Sequence, residues 1–412
     1  MNLKRKGIYA VLGAVAIQLT LGIAYIWSVF QTGVAESIFD GNNAAAGLVF
    51  SLLLASLAVG SLLGGRLTVK YTTRRIVFIG GIILGVGTFA ASLTQSGFGW
   101  LLWVSYGVMG GLGMGFTYTT TIACAQKWYP HKKGFITGII VAALGFGGVI
   151  FTPVIERVIE MFGGRAYGEL NAFMVLGVIF LVVCSVGSFF LVDPPEGYRT
   201  DEATAKPKAN VTAKNYTSAE MLKTLRCYLL TITFVLSVVG GLIMIGFAMP
   251  IAEARDLQGA VYGVMAIALF NSIGRLFWGT VSDKIGRFNT LTILLVASGG
   301  LSLLVNIMPG YSVYVVIALI GFCFGGILSN FPALTSDLFG SKYMAGNYGF
   351  VLLGFGGGAI AATQVAGHFA NIADQYGIER MFPAFVIAAC CAGAGAVLIF
   401  VLRLMNKKAV KS

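Results

Sequence analysis

The feature that most constrains this chain is the recurrence of long apolar stretches that carry almost no charge. Of its 412 residues, 57% are hydrophobic and only 11% are charged, whereas a soluble domain carries about 25% charged residues. A helix needs about 20 apolar residues to cross a membrane, and stretches of that length recur throughout. A transmembrane barrel would instead alternate in segments of about 10 residues. The sequence therefore predicts an all-α membrane protein.

Twelve membrane-spanning helices are predicted, in two groups of six. The one long polar segment, 193–226, opens with an Asp-Pro-Pro sequence that stops a helix. We expect an N-terminal six-helix bundle over 1–192, a cytoplasmic linker over 193–226 and a C-terminal six-helix bundle over 227–412. The predicted spans are 8–32, 44–69, 76–96, 100–127, 134–159, 170–192, 227–252, 260–282, 288–308, 311–337, 344–371 and 381–404.

The net charge of +12 comes from basic loop residues that report the orientation of the protein in the membrane, and it does not indicate nucleic-acid binding. Most of the 28 Lys and Arg residues lie in loops on one side of the predicted spans, and the more basic side faces the cytoplasm. Both termini and the linker are therefore expected inside, in a multi-pass protein of the inner cell membrane. The basic start resembles a signal sequence, but the apolar run continues to about Phe30 without a small-residue cleavage site. We predict a retained first span.

The sequence contains no recognisable enzyme chemistry. Its six cysteines form no CxxC pair, and no metal-ligand spacing, nucleophile–base pair or cofactor motif is evident. We expect no catalytic residue, no metal and no cofactor. A sensor is disfavoured because no soluble output domain is evident, and a channel and a transporter stay open at this point. We expect a functional monomer in the lipid bilayer.

Arg275 is the most informative single residue. It precedes the charged turn at Asp283 by eight residues, which places it about 12 Å into the membrane at 1.5 Å per residue. A charge there costs at least about 2.5–3.5 kcal/mol on insertion scales. The acidic residues all fall in loops or near span ends. We therefore predict that Arg275 binds the carboxylate of a substrate through a forked ion pair. The alternative is a permanent ion pair with a buried carboxylate.

The neighbours of Arg275 suggest how a ligand and a proton are handled. Asn271 lies four residues earlier, on the same helix face, where it can donate to or accept from the same ligand. Glu253 and Asp256, at the outer end of the seventh span, are candidate proton carriers. Alternatively, the substrate acid travels with its own proton while Arg275 neutralises the carboxylate.

The turn after the eighth span has a partial echo after the second span, about half a chain earlier. The later copy contains Gly279, Asp283, Lys284, Gly286 and Arg287. The earlier copy retains Gly65, Lys70, Arg74 and Arg75. Parallel repeats of this kind occur in secondary transporters. The later copy resembles the signature loop of the major facilitator superfamily, in which it latches helices on the cytoplasmic side. Val69 and Thr72 replace that loop's Asp and Gly in the earlier copy, so we expect a weaker latch there.

Further motifs resemble the oxalate/formate antiporter branch of that superfamily. They are 128–134 (WYPHKKG), 331–332 (FP), 336–340 (SDLFG) and 347–350 (NYGF). That branch is related to the animal monocarboxylate transporters, and the chain is also similar to bacterial lactate–proton symporters. The resemblance implies the major facilitator fold, with two pseudo-symmetric six-helix bundles and transport by alternating access.

The resemblance also implies a substrate pocket. Tyr118 aligns with a pocket tyrosine of the family, and Phe355 takes the place of a lysine that oxalate antiporters carry. Asn271 replaces a titrating Asp of the animal transporters. The predicted apolar walls are Tyr25, Trp27, Leu144, Phe324, Leu328, Phe331 and Phe355.

The charge inventory of this pocket predicts the class of substrate. One cation matches one carboxylate, because a second charge would be uncompensated in a low-dielectric cavity. We expect proton-coupled symport of a small monocarboxylate such as lactate or pyruvate. The alternative is an anion exchanger of the oxalate/formate type.

Overall fold

The structure is a computed structural model of the 412-residue chain and is nearly all helical, which confirms the predicted fold class. It describes residues 3–22, 27–164, 168–195, 198, 214–246, 260–376 and 378–411. In this part of the chain, nine helices are long and apolar enough to cross a membrane.

The helices before the linker match the predicted spans to within a few residues, except that the first span contains two helices. They are α1 (Leu3–Leu21), α2 (Trp27–Ile38), α3 (Asn43–Leu67), α4 (Thr73–Ala91), α5 (Gly99–Leu102), α6 (Gly111–Trp128), α7 (Lys133–Met161) and α8 (Gly168–Phe190). A π-helical segment, Trp103–Gly110, joins α5 to α6. Such wide turns are rare and are often found at functional sites.

The helices after the linker follow the predicted spans as closely. They are α9 (Ser218–Leu222), α10 (Leu225–Gly246), α11 (Ala260–Ile285), α12 (Arg287–Leu304), α13 (Ser312–Phe339), α14 (Met344–Tyr376) and α15 (Phe382–Lys411), with a 3₁₀ turn at Ile378–Met381. The short α9 begins at a capping box, in which Thr217 and Glu220 satisfy each other's backbone N–H groups.

The chain forms two compact units. Unit 1 contains Met1–Pro130, Ala143–Thr204 and Ser341–Leu353, and unit 2 contains His131–Ala142, Ala205–Gly340 and Gly354–Ser412. The beginning of α7 therefore packs within unit 2, and the beginning of α14 packs within unit 1. The division at the linker 193–226 stays a prediction.

Helix α11 is held by close backbone contacts in unit 2. A Cβ atom at Gly138 of α7 would lie 2.7 Å from the Arg275 carbonyl oxygen. A Cβ atom at Gly325 of α13 would contact the Asn271 carbonyl oxygen and lie 3.1 Å from the Arg275 amide nitrogen. Small residues allow helix backbones to approach this closely in lipid. The two glycines thus fix the helix segment that carries the predicted site.

The turn after α11 explains one glycine of the signature motif. Gly286 separates α11 from α12 with a φ of 90°, a conformation that costs a side-chain-bearing residue energy and costs glycine little. The chain therefore reverses direction in one residue, which brings Asp283 and Arg287 together.

Gly325→Ala should destabilise the protein, because the added methyl group meets backbone atoms of α11. Overpacking of this kind costs about 1–3 kcal/mol, which exceeds the gain of about 1 kcal/mol from alanine's higher helix propensity. The apparent melting temperature of purified protein should fall.

Gly300→Ala is the matched control, because a Cβ atom at Gly300 of α12 would meet nothing within 4 Å. Its melting temperature should stay level or rise. Equal stability of the two variants would contradict the close approach of α11 and α13.

Candidate functional site

Arg275 is a buried cation in the body of α11. Arg275 is 1% exposed. Its Nη1 donates a hydrogen bond to the Val141 carbonyl oxygen of α7 at 2.7 Å. That carbonyl is a neutral acceptor, so this bond satisfies one donor without supplying a compensating charge. The guanidinium has five N–H donors in a planar fork, a geometry that suits a carboxylate.

Asn271 shares the Arg275 face of α11, as the spacing of four residues predicts. It is 8% exposed, and the intervening Ser272 is 1% exposed, with its hydroxyl donating to the Ala268 carbonyl at 3.0 Å. This part of the helix therefore places an amide group and a guanidinium on one buried stripe. Both can hydrogen-bond to a carboxylate or hydroxyl group.

Aromatic side chains form a cluster in unit 2 that joins two of the predicted wall residues. The Phe234 ring of α10 stacks on the Phe331 ring with centroids 4.3 Å apart and lies 6.2 Å from the Phe355 ring. Phe324 packs against α10 at Gly241, where a Cβ atom would contact its ring. With Leu328, which is 7% exposed, these residues form an apolar surface on α10, α13 and α14.

The remaining described wall residues belong to unit 1. Tyr118 is 8% exposed and its ring lies 6.4 Å from that of Tyr348. Gln18 of α1 holds the Tyr118 backbone, because its Nε2 donates to the Tyr118 carbonyl oxygen at 3.2 Å. Leu144 is 6% exposed, and its carbonyl oxygen would lie 2.6 Å from a Cβ atom at Gly22, directly after α1. Trp27 is 3% exposed, and its ring stacks on that of Tyr106. Their roles toward substrate stay predictions.

Asp283 in the second signature turn acts as an N-terminal cap for α7. Its carboxylate oxygens accept from the backbone N–H groups of Gly134 at 3.2 Å and Phe135 at 2.8 Å. Arg287 Nη2 donates to the same carboxylate at 2.5 Å. The first N–H groups of a helix lack partners within the helix, and they favour an anion. The motif thus ties the end of α11 to the beginning of α7 in unit 2.

A second carboxylate extends this network to α13. Asp337 accepts from Lys133 Nζ at 3.0 Å and lies 3.4 Å from Arg287 Nε. The side chains of Lys133 and Arg287 are each 7% exposed and that of Asp337 is 14% exposed. Lys284, by contrast, is exposed. Two acids and two bases therefore neutralise one another at this end of unit 2.

The first signature turn lacks the carboxylate. A Cβ atom at Gly279 would meet the Gly134 carbonyl oxygen at the beginning of α7, and a Cβ atom at Gly65 would likewise meet the Ala345 carbonyl oxygen at the beginning of α14. Val69, however, is 66% exposed. Arg74 Nη2 donates to the Phe189 carbonyl oxygen at 2.5 Å. Lys70 and Arg75 are exposed. The two repeats thus share the close glycine contact but differ in the ionic network.

Three predicted site residues lie outside the described part of the chain: Tyr25, Glu253 and Asp256. Among the described residues, no group of three or more His, Cys, Asp or Glu side chains could hold a metal ion.

Sequence reasoning missed three residues that the structure places in buried contacts: Val141, Phe234 and Glu169. Val141 acts through its backbone, which no sequence motif marks, and Phe234 joins the aromatic cluster only through the packing of α10. Glu169 is 1% exposed, although its position just before the predicted span 170–192 indicated a loop residue. The one signal for Glu169 was a carboxylate next to an apolar stretch.

The comparisons identify the family. Residues 12–363 match the sequence profile of the Major Facilitator Superfamily. The chain is 31% identical over 364 residues to an Escherichia coli protein named uncharacterized MFS-type transporter YhjX, covering 87% of each chain. It is 29% identical to the oxalate:formate antiporter of Oxalobacter formigenes, covering 91% of this chain and 86% of that protein. It is 26% identical to the apicoplast pyruvate carrier 1 of Toxoplasma gondii, covering 79% and 69%.

A solved structure matches the fold. The crystal structure of the Escherichia coli fucose:proton symporter superposes with a TM-score of 0.72, covering 96% of this chain and 98% of that chain. The sequence identity is 12%, so this likeness establishes the fold alone.

Lys133→Gln should destabilise the protein, because Asp337 loses its closer cation in a mostly buried site. Breaking a buried pair costs about 3–5 kcal/mol, and the nearby Arg287 should reduce that loss. The apparent melting temperature should fall clearly, and high salt should not reproduce the effect because buried pairs are weakly screened.

Lys284→Gln provides the control on the same end of unit 2, since that lysine is exposed. The substitution should change the free energy of unfolding by no more than about 0.5 kcal/mol, as other surface substitutions do. A loss as large as that of Lys133→Gln would show that net charge, and not the buried pair, determines stability.

Proposed function

The chain belongs to the Major Facilitator Superfamily, and we propose that it works as a proton-coupled symporter of small monocarboxylates such as lactate and pyruvate. As a member of this superfamily, the protein is a multi-pass membrane transporter and not an enzyme. In this proposal the protein lies in the inner cell membrane with both termini in the cytoplasm, and moves one acid anion with one proton by alternating access.

The burial of Arg275 is the observation that carries the proposal. A charge inside the membrane is costly, and such residues usually face a ligand, an ion partner or a cavity. The Val141 carbonyl oxygen accepts one of its N–H bonds but brings no negative charge. A substrate carboxylate would bring a negative charge and accept two parallel bonds from the guanidinium fork.

The acids that follow on α11 and α13 are engaged elsewhere. Asp283 accepts from the N-terminus of α7 and from Arg287. Asp337 pairs with Lys133. Because both carboxylates take part in the network at the end of α11, we assign them to the cytoplasmic latch and assign the site at Arg275 to a substrate anion.

The expected substrate has one negative charge and a short apolar body. Phe355 takes the place of the second cation that binding of a dianion would require. Its ring belongs to an apolar cluster with Phe234 and Phe331. An uncompensated second charge is expensive in a low dielectric medium. The Asn271 amide, one turn from Arg275, suits the hydroxyl or keto oxygen at C2 of lactate or pyruvate.

Anion exchange of the oxalate:formate type is the second candidate. It is favoured by the 29% identity to the Oxalobacter formigenes antiporter over 91% of this chain. Exchange of two monoanions would use the same Arg275 site without a proton.

Purified protein in empty liposomes should accumulate labelled lactate when only an inward proton gradient is imposed. Symport is driven by that gradient, so a proton ionophore should abolish accumulation. Protein-free liposomes correct for diffusion of the neutral acid. Uptake that requires a preloaded carboxylate, and ignores the pH gradient, would instead establish exchange.

Arg275→Gln should abolish lactate binding, because it removes the charge and the fork. Hydrogen bonds to charged groups contribute about 1.5–3 kcal/mol each, so loss of two weakens affinity by about 100-fold or more. Arg275→Lys should bind with intermediate affinity, since it keeps the charge only. Binding to purified protein is measured by calorimetry.

Arg157→Gln is the control, because Arg157 is a surface residue whose side chain is 77% exposed. It should bind lactate like the unmodified protein. Unchanged affinity in Arg275→Gln would refute the assignment of the anion site.

A further inference from the structure

Helices α4 and α8 of unit 1 form a groove along the line where they pack together. A Cβ atom at Gly81 of α4 would contact the Cys184 side chain, and one at Gly177 of α8 would lie 2.6 Å from the Phe89 amide nitrogen. Early residues of α4 thus meet late residues of α8, so the two helices run antiparallel. Small residues let the backbones approach closely, which leaves a groove between the side chains on either side of the contact.

Exposed apolar side chains line this α4–α8 groove on both helices. Ile82 follows Gly81, and Val178 follows Gly177, by one residue, which is the same rotation about each helix axis. Because the helices are antiparallel, the two exposed rows lie on the same side of the contact. The residues of these rows are each at least 37% exposed: Phe78, Ile82 and Phe89 on α4, and Val178, Val182 and Phe189 on α8.

The length of the groove matches one leaflet of a bilayer. The row from Phe78 to Phe89 is about 16 Å long at 1.5 Å per residue. One leaflet contributes half of the hydrocarbon core, or about 15 Å. An acyl chain of a membrane lipid therefore fits along the row.

Two exposed arginines lie at one end of the groove, in the first turn of α4. Arg75 precedes Phe78 by three residues and Ile82 by seven, so it continues the α4 row at helical spacing. Arg74 Nη2 donates to the Phe189 carbonyl oxygen at 2.5 Å, and its guanidinium lies 5.5 Å from the centroid of the Phe189 ring. The arginines thus stand where the first turn of α4 meets the last turn of α8.

This turn concentrates positive charge. It contains no acidic residue, and its N-cap residue Thr72 makes no side-chain capping bond. The N-terminus of a helix itself carries a partial positive charge. Within the part of the chain that the structure describes, neither Arg74 nor Arg75 pairs with a carboxylate. An anion at this end of the groove would be stabilised by both arginines and by the helix.

The Asp193 carboxylate, which follows α8, is engaged on another side of α4. Its Oδ2 accepts from Thr73 Oγ1 at 2.6 Å, and its Oδ1 accepts from Lys127 Nζ at 2.9 Å. Thr73 is buried and precedes Arg75 by two residues, a rotation of about 200°. Asp193 is therefore matched by Lys127 and lies away from Arg75.

The two signature turns differ in where a compensating negative charge comes from. In the second turn, Asp283 pairs with Arg287 inside the protein. In the first turn, Val69 takes the place of that acid and is 66% exposed. The cations that follow Val69 can be matched by an anion from outside the chain.

We propose that an anionic phospholipid binds in the α4–α8 groove, with its phosphate on Arg74 and Arg75 and an acyl chain along Phe78 and Ile82. A phosphate accepts parallel hydrogen bonds from a guanidinium fork, and basic residues next to a membrane span attract anionic lipids. The lipid belongs to the leaflet at the α4 N-terminus, which is the cytoplasmic leaflet in the proposed orientation. The site does not depend on which acid is transported.

Native mass spectrometry of the purified full chain in detergent tests the headgroup. Phosphatidylglycerol should bind at least about fivefold more tightly than phosphatidylcholine with the same acyl chains, because only phosphatidylglycerol has a net negative charge. Arg75→Gln should remove most of this preference. Lys284→Gln is the matched control, since it removes an exposed cation from the second signature turn, and it should keep the preference. Equal binding of the two lipids, or an equal loss in both variants, would overturn the inference.

Glycerol 3-phosphate tests the contribution of the acyl chain. It offers a phosphate without an apolar chain, so it should bind at least about tenfold more weakly than phosphatidylglycerol. Binding of glycerol 3-phosphate as tight as that of the lipid would indicate a site for soluble phosphates and would contradict the lipid site.

A phosphatidylglycerol with a photoreactive acyl chain tests the location. Crosslinks should concentrate on peptides of α4 and α8 and should decrease in Arg75→Gln. Helix α12 is the comparison surface, because its Val296 is 60% exposed and its Arg287 already pairs with Asp283. Crosslinking of α12 with the same yield would show that lipid contacts the protein without preference, and would overturn the proposed site.

Discussion

The desolvation of one guanidinium group is the constraint on which the account of this transporter depends. Arg275 lies 1% exposed within α11, where water cannot offset its charge. Helices α7 and α13 approach α11 so closely that glycine is required at Gly138 and Gly325. The Val141 carbonyl oxygen accepts one of the hydrogen bonds that water would accept from a surface arginine. Under the proposed function, this environment favours an anion that matches the one positive charge and disfavours a second negative charge.

The same helix connects the proposed anion site to the signature turn. About two turns after Arg275, Asp283 near the end of α11 accepts from the N-terminal amides of α7. Arg287, at the beginning of α12, pairs with Asp283 and reaches Asp337 of α13. Because α7 contributes both Val141 and the N-terminal amides, movement of its first turns would alter the bond to Arg275 and the cap at Asp283 together. We infer that occupancy of the anion site and the state of the turn are linked through α7.

The sequence predicted features that follow from counting and periodicity, and missed those that follow from packing. The shared face of Arg275 and Asn271 came from residue counts along one helix. The cap that Asp283 makes on α7 joins residues 149 positions apart, so no local pattern could reveal it. Glu169 looked like a loop residue, because its contact with Gly33 joins two helices that are far apart in the sequence. Phe331 and Phe355 were predicted separately, whereas their common neighbour Phe234 became visible only in the fold.

The most direct test of the central claim is a measurement of the contact between Arg275 and bound substrate. Magnetic dipolar coupling can be recorded between the ¹³C-labelled carboxylate of lactate and ¹⁵N-labelled guanidinium nitrogens, with Arg275→Lys identifying the signal. We predict a direct ion pair, with N···O distances of about 2.8 Å, and no such coupling in the variant. Bound lactate whose carboxylate shows no coupling to Arg275 would contradict the account.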